Sequence, residues 1–100
     1  MKRERGTTAL GATFDVAAIE AVWQKGTQIP GYSFFRKDRC GAVIKKTDYG
    51  RASEFGWEID HIVPVQKGGT DHPDNLQPLH WENNRSKGES NDDWTCHRTG

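Results

Sequence analysis

The sequence has few cysteines, no long apolar run and no excess of charge of either sign, and each absence excludes a class of protein. Two cysteines, Cys40 and Cys96, are too few for a disulfide scaffold. No apolar segment of the kind found in signal peptides follows the charged start of the chain. We therefore expect a reduced, cytoplasmic protein. No stretch approaches the ~18 apolar residues of a membrane-spanning helix, so a transmembrane role is excluded.

The formal net charge is zero, which argues against nucleic-acid binding through bulk positive charge. The charge is nevertheless unevenly distributed. Residues 1–51 carry ten Lys or Arg against five Asp or Glu, whereas residues 52–100 carry four against nine. This division could place a phosphate-binding surface beside a carboxylate-rich, cation-binding one, although two ordinary solvated surfaces would give the same numbers.

The hydrophobic content is sufficient for one small core. The chain has 100 residues, of which 33% are hydrophobic and ten are aromatic, so two independent domains would both be too small to be stable. Residues 1–13 are polar and without periodicity, which predicts a flexible N-terminal lead-in. We expect a single domain over residues 14–100.

The first half of that domain predicts a helix and a basic hairpin. Apolar residues at helical spacing follow Asp15, which can cap the first turn, and they predict a helix over residues 16–25 that ends at Gly26. Residues 34–37 and 42–46 then predict two short strands around Cys40 and Gly41. This hairpin region is rich in Lys and Arg.

The side chains suited to catalysis or metal binding lie in residues 57–88. The predicted order of elements in this segment is strand, loop, strand and helix. Alternation from Trp57 predicts a strand that stops near Val63, and a polar Gly-containing loop follows it. Residues 75–79 predict a second strand and residues 80–87 a helix of about two turns ended by Gly88. In a straight strand, Asp60 and His61 would point to opposite faces.

Four side chains in this unit have complementary chemistry. Magnesium prefers oxygen ligands and keeps several waters, so the carboxylate of Asp60 and the amide of Asn84 are an adequate pair. A neutral imidazole such as His61 can take a proton from water that attacks phosphorus. Each signal is weak alone, because a neighbouring Asp and His often form only a structural pair and a loop Asn such as Asn75 often caps a turn.

The spacing of these residues resembles the HNH endonucleases, whose motif has an acid-His pair, a Pro, a Gly-containing loop, Asn-Leu-Gln, and a final Asn or His followed by Lys-Gly. The match covers residues 57–88. The resemblance implies a ββα fold that holds one divalent metal ion. It implies that Asp60 and Asn84 bind the metal and that His61 is the general base.

The resemblance also implies that Asn75 bonds backbone and holds the base, and that Lys87 binds a phosphate. Glu58 and His80 are further candidates for groups that support the metal ligands. Other cations could bind DNA phosphates, namely Arg39, Lys45, Lys46 and Arg85.

One departure from the family concerns zinc. Many relatives hold a structural zinc with two Cys-x-x-Cys pairs, which this sequence lacks. This spacing does not favour a zinc site, and the remaining alternative would use Cys40, His80, Cys96 and His97. Packing is expected to replace the zinc, with candidates in Trp57, Ile59, Ile62, Leu76, Leu79 and Trp81.

We thus expect an α+β domain in which an N-terminal helix and a basic β-hairpin support a C-terminal ββα-metal unit. It would hydrolyse DNA with one divalent ion, most simply Mg²⁺, with Mn²⁺, Ni²⁺ or Zn²⁺ as alternatives. RNA is an alternative substrate, and a catalytically idle nucleic-acid-binding module is an alternative function. We expect no membrane partner, a monomer or homodimer, and a bacterial or phage-infected cytoplasm, with larger phage or restriction machinery as a possible partner.

Overall fold

A computed structural model describes residues 3–100. It confirms the α+β class, with two helices and two small antiparallel sheets. The regular elements, in chain order, are α1 (Val16–Trp23), β1 (Thr27–Gln28), β2 (Phe35–Lys37), β3 (Val43–Lys45), β4 (Trp57–His61), β5 (Leu76–His80) and α2 (Trp81–Lys87). Neither helix within residues 3–100 has the length and apolarity that crossing a membrane requires.

Helix α1 begins where the sequence predicts and ends two residues earlier. The side chain of Asp15 accepts a hydrogen bond from Ala18 N at 2.8 Å, which satisfies one of the free amides of the first turn. At the other end, Lys25 N donates to Val22 O and Gly26 N to Trp23 O, both at 3.0 Å. These bonds span three residues instead of four, so the predicted end of the helix tightens into a turn.

The basic hairpin is confirmed, and it gains a third strand that the sequence did not predict. Strands β2 and β3 pair antiparallel with Arg36 opposite Ile44, and β1 adds to the outer edge of β2. Asp38 organises the connecting turn, because its Oδ1 accepts from Cys40 N and Ala42 N, both at 2.9 Å. With only two residues, β1 is too short to produce a recognisable alternation.

The C-terminal unit is a two-stranded hairpin followed by a helix. Strands β4 and β5 are antiparallel, with Trp57 opposite His80 and Asp60 opposite Gln77. Strand β5 starts and ends one residue later than predicted, and His80 caps α2 instead of lying within it. His80 Nδ1 accepts from Glu82 N at 3.1 Å.

The core lies between α1 and the two sheets. Its buried apolar members are Phe14, Val22, Trp23, Ile44, Trp57, Ile59 and Leu76. Trp23 and Trp57 pack ring against ring, with centroids 5.3 Å apart. Leu79 is also buried, as predicted, whereas Ile62 and Trp81 are only half-buried.

The two cysteines form a disulfide, so the expectation of reduced thiols is wrong for this structure. Cys40 in the hairpin turn and Cys96 near the end of the chain are 56 residues apart in sequence and bonded to each other. Asn83 fixes the same C-terminal segment, because its Oδ1 accepts from His97 N at 2.8 Å and Arg98 N at 2.7 Å. Both sulfurs are used in this bond, so the alternative four-ligand zinc site loses two of its ligands.

Candidate active site

Strand β4 ends in two polar side chains that line one cavity. Asp60 and His61 point to different sides of the strand, as the alternation predicts, because Asp60 contacts Gln77 and Lys87 while His61 contacts Asp71. Both nevertheless line the same small cavity, since the strand stops at His61 and the cavity lies around its end. Asn84 and Lys87 of α2 line the cavity as well.

Asp60 is a buried carboxylate. It is only 6% exposed, and its Oδ2 accepts from Gln77 Nε2 at 2.9 Å. Burial raises the pKa of Asp60 above its usual value, against the lowering effects of the Gln77 hydrogen bond and the Lys87 cation. A carboxylate held in this environment is stabilised by an additional cation.

Asn84 is oriented by Glu58. Its Nδ2 donates to Glu58 Oε1 at 2.7 Å, and the side chain is 5% exposed. This bond uses the amino end of the amide, which leaves the oxygen end as a candidate ligand at the cavity. Glu58 thus contacts the second predicted metal ligand and holds it in one of its two possible orientations.

Lys87 is not a free surface cation. Its side chain is 1% exposed, and Nζ donates to His61 O at 2.8 Å and lies 3.2 Å from Asp60 Oδ1. The ammonium group therefore neutralises the acid and holds the end of β4 together. It lines the cavity, so a phosphate group entering the cavity would meet this charge.

His61 is held on two sides. Its ring is 3% exposed, lies 6.1 Å from the ring of Phe14, and places Nε2 2.8 Å from Asp71 Oδ1. Asp71 comes from the loop between β4 and β5, and backbone N of Ala9 donates to its Oδ1 at 2.9 Å and Oδ2 at 3.2 Å. The N-terminal segment thus reaches the site through Ala9.

Asn75 holds the loop that follows His61. Its Oδ1 accepts from Val63 N at 2.8 Å, and its Nδ2 donates to Val63 O at 3.1 Å and Thr70 O at 2.9 Å. The loop is also tightly packed at Gly69, where a Cβ atom would lie 1.7 Å from Val63 O. Only glycine fits at this position, so any side chain there would displace the loop beside the site.

The basic residues divide into two groups. Arg3 and Arg5, to which the sequence assigned no role, line the cavity beside Asp60 and His61. Arg85 lines an adjoining groove together with both of these arginines, and its guanidinium stacks 4.5 Å from the ring centre of Trp81. No periodicity marked Arg3 and Arg5, so only their positive charge could have drawn attention to them.

The predicted phosphate-binding residues of the hairpin do not line this cavity. Arg39 stacks on Trp94 at 5.3 Å, and Lys46 pairs with Glu20 at 2.8 Å. Lys45 lies 5.8 Å from the ring centre of Phe35. Any contact of these three residues with a substrate would be to parts of it away from Asp60 and His61.

His80 lies away from the cavity. It is fully buried, and both ring nitrogens are used, Nδ1 by Glu82 N and Nε2 by Glu54 O at 2.7 Å. Since Nδ1 accepts from a backbone amide, Nε2 is the protonated nitrogen and donates to the carbonyl. Its visible role is to cap α2.

The donor set suits a magnesium-type ion with few protein ligands. Within residues 3–100 no group of three or more His, Cys, Asp and Glu side chains is arranged to hold a metal ion. Asp60 and Asn84 instead offer one carboxylate and one amide oxygen at the same cavity. Magnesium is commonly bound by one or two carboxylates with waters and substrate phosphates as its other ligands, so this pair fits such an ion.

Comparison with known proteins gives one match. The model of the HNH endonuclease family matches residues 38–90, which is more than half of the chain and includes β4, β5, α2 and the hairpin turn. No curated protein and no solved structure matches the chain.

Proposed function

Because the chain belongs to the HNH endonuclease family, whose members are nucleases, we propose that it is a metal-dependent endonuclease that hydrolyses DNA phosphodiester bonds. One observation carries the proposal. The end of β4 and one face of α2 bring a buried carboxylate, an imidazole and an oriented amide to a single cavity, in Asp60, His61 and Asn84. These are the groups that hydrolysis of a phosphodiester needs.

In the proposed mechanism, Asp60 and Asn84 hold the divalent ion. When bound, the ion would supply positive charge that stabilises the negative charge developing on the phosphate and the leaving oxygen. Gln77 and Glu58 support the two ligands by the hydrogen bonds described above. Lys87 balances the charge of Asp60 and adds a cation near the phosphate.

His61 provides the base. With Nε2 engaged by Asp71, Nδ1 is the nitrogen that accepts a proton from the attacking water. The water oxygen forms a bond to phosphorus, the bond from phosphorus to the 3′ oxygen breaks, and the departing oxygen takes a proton from solvent. The products are a 5′-phosphate and a 3′-hydroxyl end.

Substrate binding would rest on local and not on net charge. Arg3, Arg5 and Arg85 surround the cavity and the adjoining groove, so they are placed to contact phosphates next to the cleaved bond. The hairpin cations Arg39, Lys45 and Lys46 are proposed as outer contacts. A zero net charge is compatible with this arrangement, because exposed charges more than about 10 Å apart are screened at 0.1 M salt.

The experiment that tests the function compares matched DNA and RNA in the presence of Mg²⁺, Mn²⁺, Ni²⁺, Zn²⁺ or EDTA. We expect supercoiled plasmid to be nicked with a divalent ion and left intact in EDTA. Cleavage of RNA alone would show that RNA is the substrate, and cleavage in EDTA would exclude metal dependence. Binding without cleavage under every metal would favour a nucleic-acid-binding module.

A further inference from the structure

We propose that Asp71 is a positioning residue that fixes the ring of His61 in the orientation and tautomer needed for proton transfer. This inference rests on the proposed role of His61 as base. It adds a residue from the loop between β4 and β5, which the sequence did not mark as part of the site.

The contact itself sets the tautomer. Asp71 Oδ1 lies 2.8 Å from His61 Nε2, and the Asp71 side chain is 41% exposed. An ionised carboxylate can only accept hydrogen bonds, so Nε2 carries the hydrogen and Nδ1 has the free lone pair. Without this contact, both tautomers of a neutral imidazole would be accessible, and only one has its lone pair on Nδ1.

Asp71 is itself held in place. Ala9 N donates to both of its carboxylate oxygens, and Asn75 Nδ2 donates to the carbonyl of the preceding residue, Thr70. Gly69 N donates to Pro64 O at 2.9 Å in the same loop. A carboxylate on a mobile loop would lose its contact with the ring for much of the time, whereas this one is bound from three directions.

The ring has little freedom to compensate. His61 is 3% exposed, and Phe14 lies beside it with a centroid distance of 6.1 Å. Because the ring is enclosed, loss of Asp71 would leave Nε2–H without its acceptor, and small misplacements of a base are costly in rate. The analogous carboxylate in Ser-His-Asp hydrolases acts on its histidine by this means.

A simpler role for Asp71 would be to anchor residues 3–13 through Ala9. The two roles predict different results. Loss of an anchor would change stability or substrate binding, because Arg3 and Arg5 lie on this segment. Loss of positioning would change the turnover number and the ring of His61, with substrate binding retained.

The test compares Asp71→Ala with Asp74→Ala, which removes the same charge from a 93% exposed side chain three residues along the loop. We expect kcat of Asp71→Ala to fall on the order of 100-fold, with KM within about twofold of wild type. Asp74→Ala should retain the wild-type kcat. Should Asp71→Ala fail to fold, Asp71→Asn replaces the charged acceptor by a neutral amide oxygen that still accepts from Ala9 N. Both kcat and the downfield shift of the His61 Nε2–H proton should then decrease, by less than in Asp71→Ala.

A second readout is independent of activity. In ¹H–¹⁵N spectra, the Nε2–H proton of His61 should show the downfield shift of a hydrogen bond to a carboxylate in wild type and in Asp74→Ala, and lose that shift in Asp71→Ala. If wild type cleaves no nucleic acid, the proposed function fails. The spectrum still shows whether Asp71 accepts a hydrogen bond from His61 Nε2. Equal kcat for Asp71→Ala and wild type, or an unchanged His61 ring signal, would overturn the inference.

Discussion

The carboxylate of Glu58 accepts a hydrogen bond from Asn84 Nδ2 at 2.7 Å and thereby joins strand β4 to helix α2 at the candidate metal site. A metal ion binds the oxygen of an amide and not its amino group, so a hydrogen bond to the amino end favours the orientation that presents the oxygen. Glu58 accepts that hydrogen bond, so it determines whether the second proposed ligand is correctly presented.

We predict that Glu58→Ala weakens binding of Mn²⁺ or Mg²⁺ by about 10- to 100-fold, the usual effect of removing a group that orients a metal ligand. Isothermal titration calorimetry measures the affinity. Glu54→Ala is the matched control, because that side chain is 70% exposed and pairs with Arg98 at a distance of 3.8 Å. Equal metal affinities for the two variants would show that Glu58 does not orient Asn84.

Asn75 should prove more important for stability than its half-buried position suggests. It makes three hydrogen bonds to the backbone of Val63 and Thr70, so Asn75→Ala leaves several backbone groups without partners. We expect a loss of about 1–3 kcal/mol in the free energy of unfolding, measured in urea, together with reduced cleavage. Asp74→Ala, in the same loop, should stay within about 0.5 kcal/mol of wild type, and a similar value for Asn75→Ala would contradict this role.

The disulfide should be a major source of stability. Linking Cys40 to Cys96 closes a loop across 56 positions, and removing such a constraint from the unfolded chain costs about 4 kcal/mol on the chain-entropy model. We predict that the double variant Cys40→Ser/Cys96→Ser unfolds at lower urea concentration than the oxidised protein. Dithiothreitol should lower the wild-type midpoint to that of the variant and leave the variant unchanged. A wild-type midpoint that does not respond to reductant would contradict the prediction.

The cations around the cavity should control substrate affinity. Arg5 lines the cavity, whereas the exposed Arg51 lies in the loop before β4 and lines no part of it. We predict that Arg5→Ala raises KM for DNA and lowers the slope of log affinity against log salt by about one, as expected for one lost phosphate contact. Arg51→Ala should leave both quantities unchanged. Equal effects of the two substitutions would show that DNA does not bind beside the cavity.

Much of the fold was predictable, because the determining signals were local. Asp15 caps α1, Gly88 ends α2, and the alternation from Trp57 gives β4 to within two residues of its observed end. The group formed by Asp60, His61, Asn75 and Asn84 follows from this order of elements, since two short strands and a helix have few ways to pack.

The remaining features depend on contacts between distant parts of the chain. The disulfide joins positions 56 apart, and Ala9 reaches Asp71 across 62 positions. No spacing rule relates residues so far apart, and the bond from Ala9 uses the backbone, which every residue carries. The burial of Lys87 could not be predicted from the sequence either, because a lysine in the last turn of a polar helix is usually exposed.

The most direct test of the central claim separates the base from the metal ligand. Plasmid cleavage and Mn²⁺ binding are measured for wild type, His61→Ala and Asp60→Ala. We predict that His61→Ala loses cleavage by at least about 100-fold and binds the metal as wild type does, whereas Asp60→Ala loses both. Full cleavage by His61→Ala would contradict the assignment of His61 as the base and, with it, the mechanism proposed for this site.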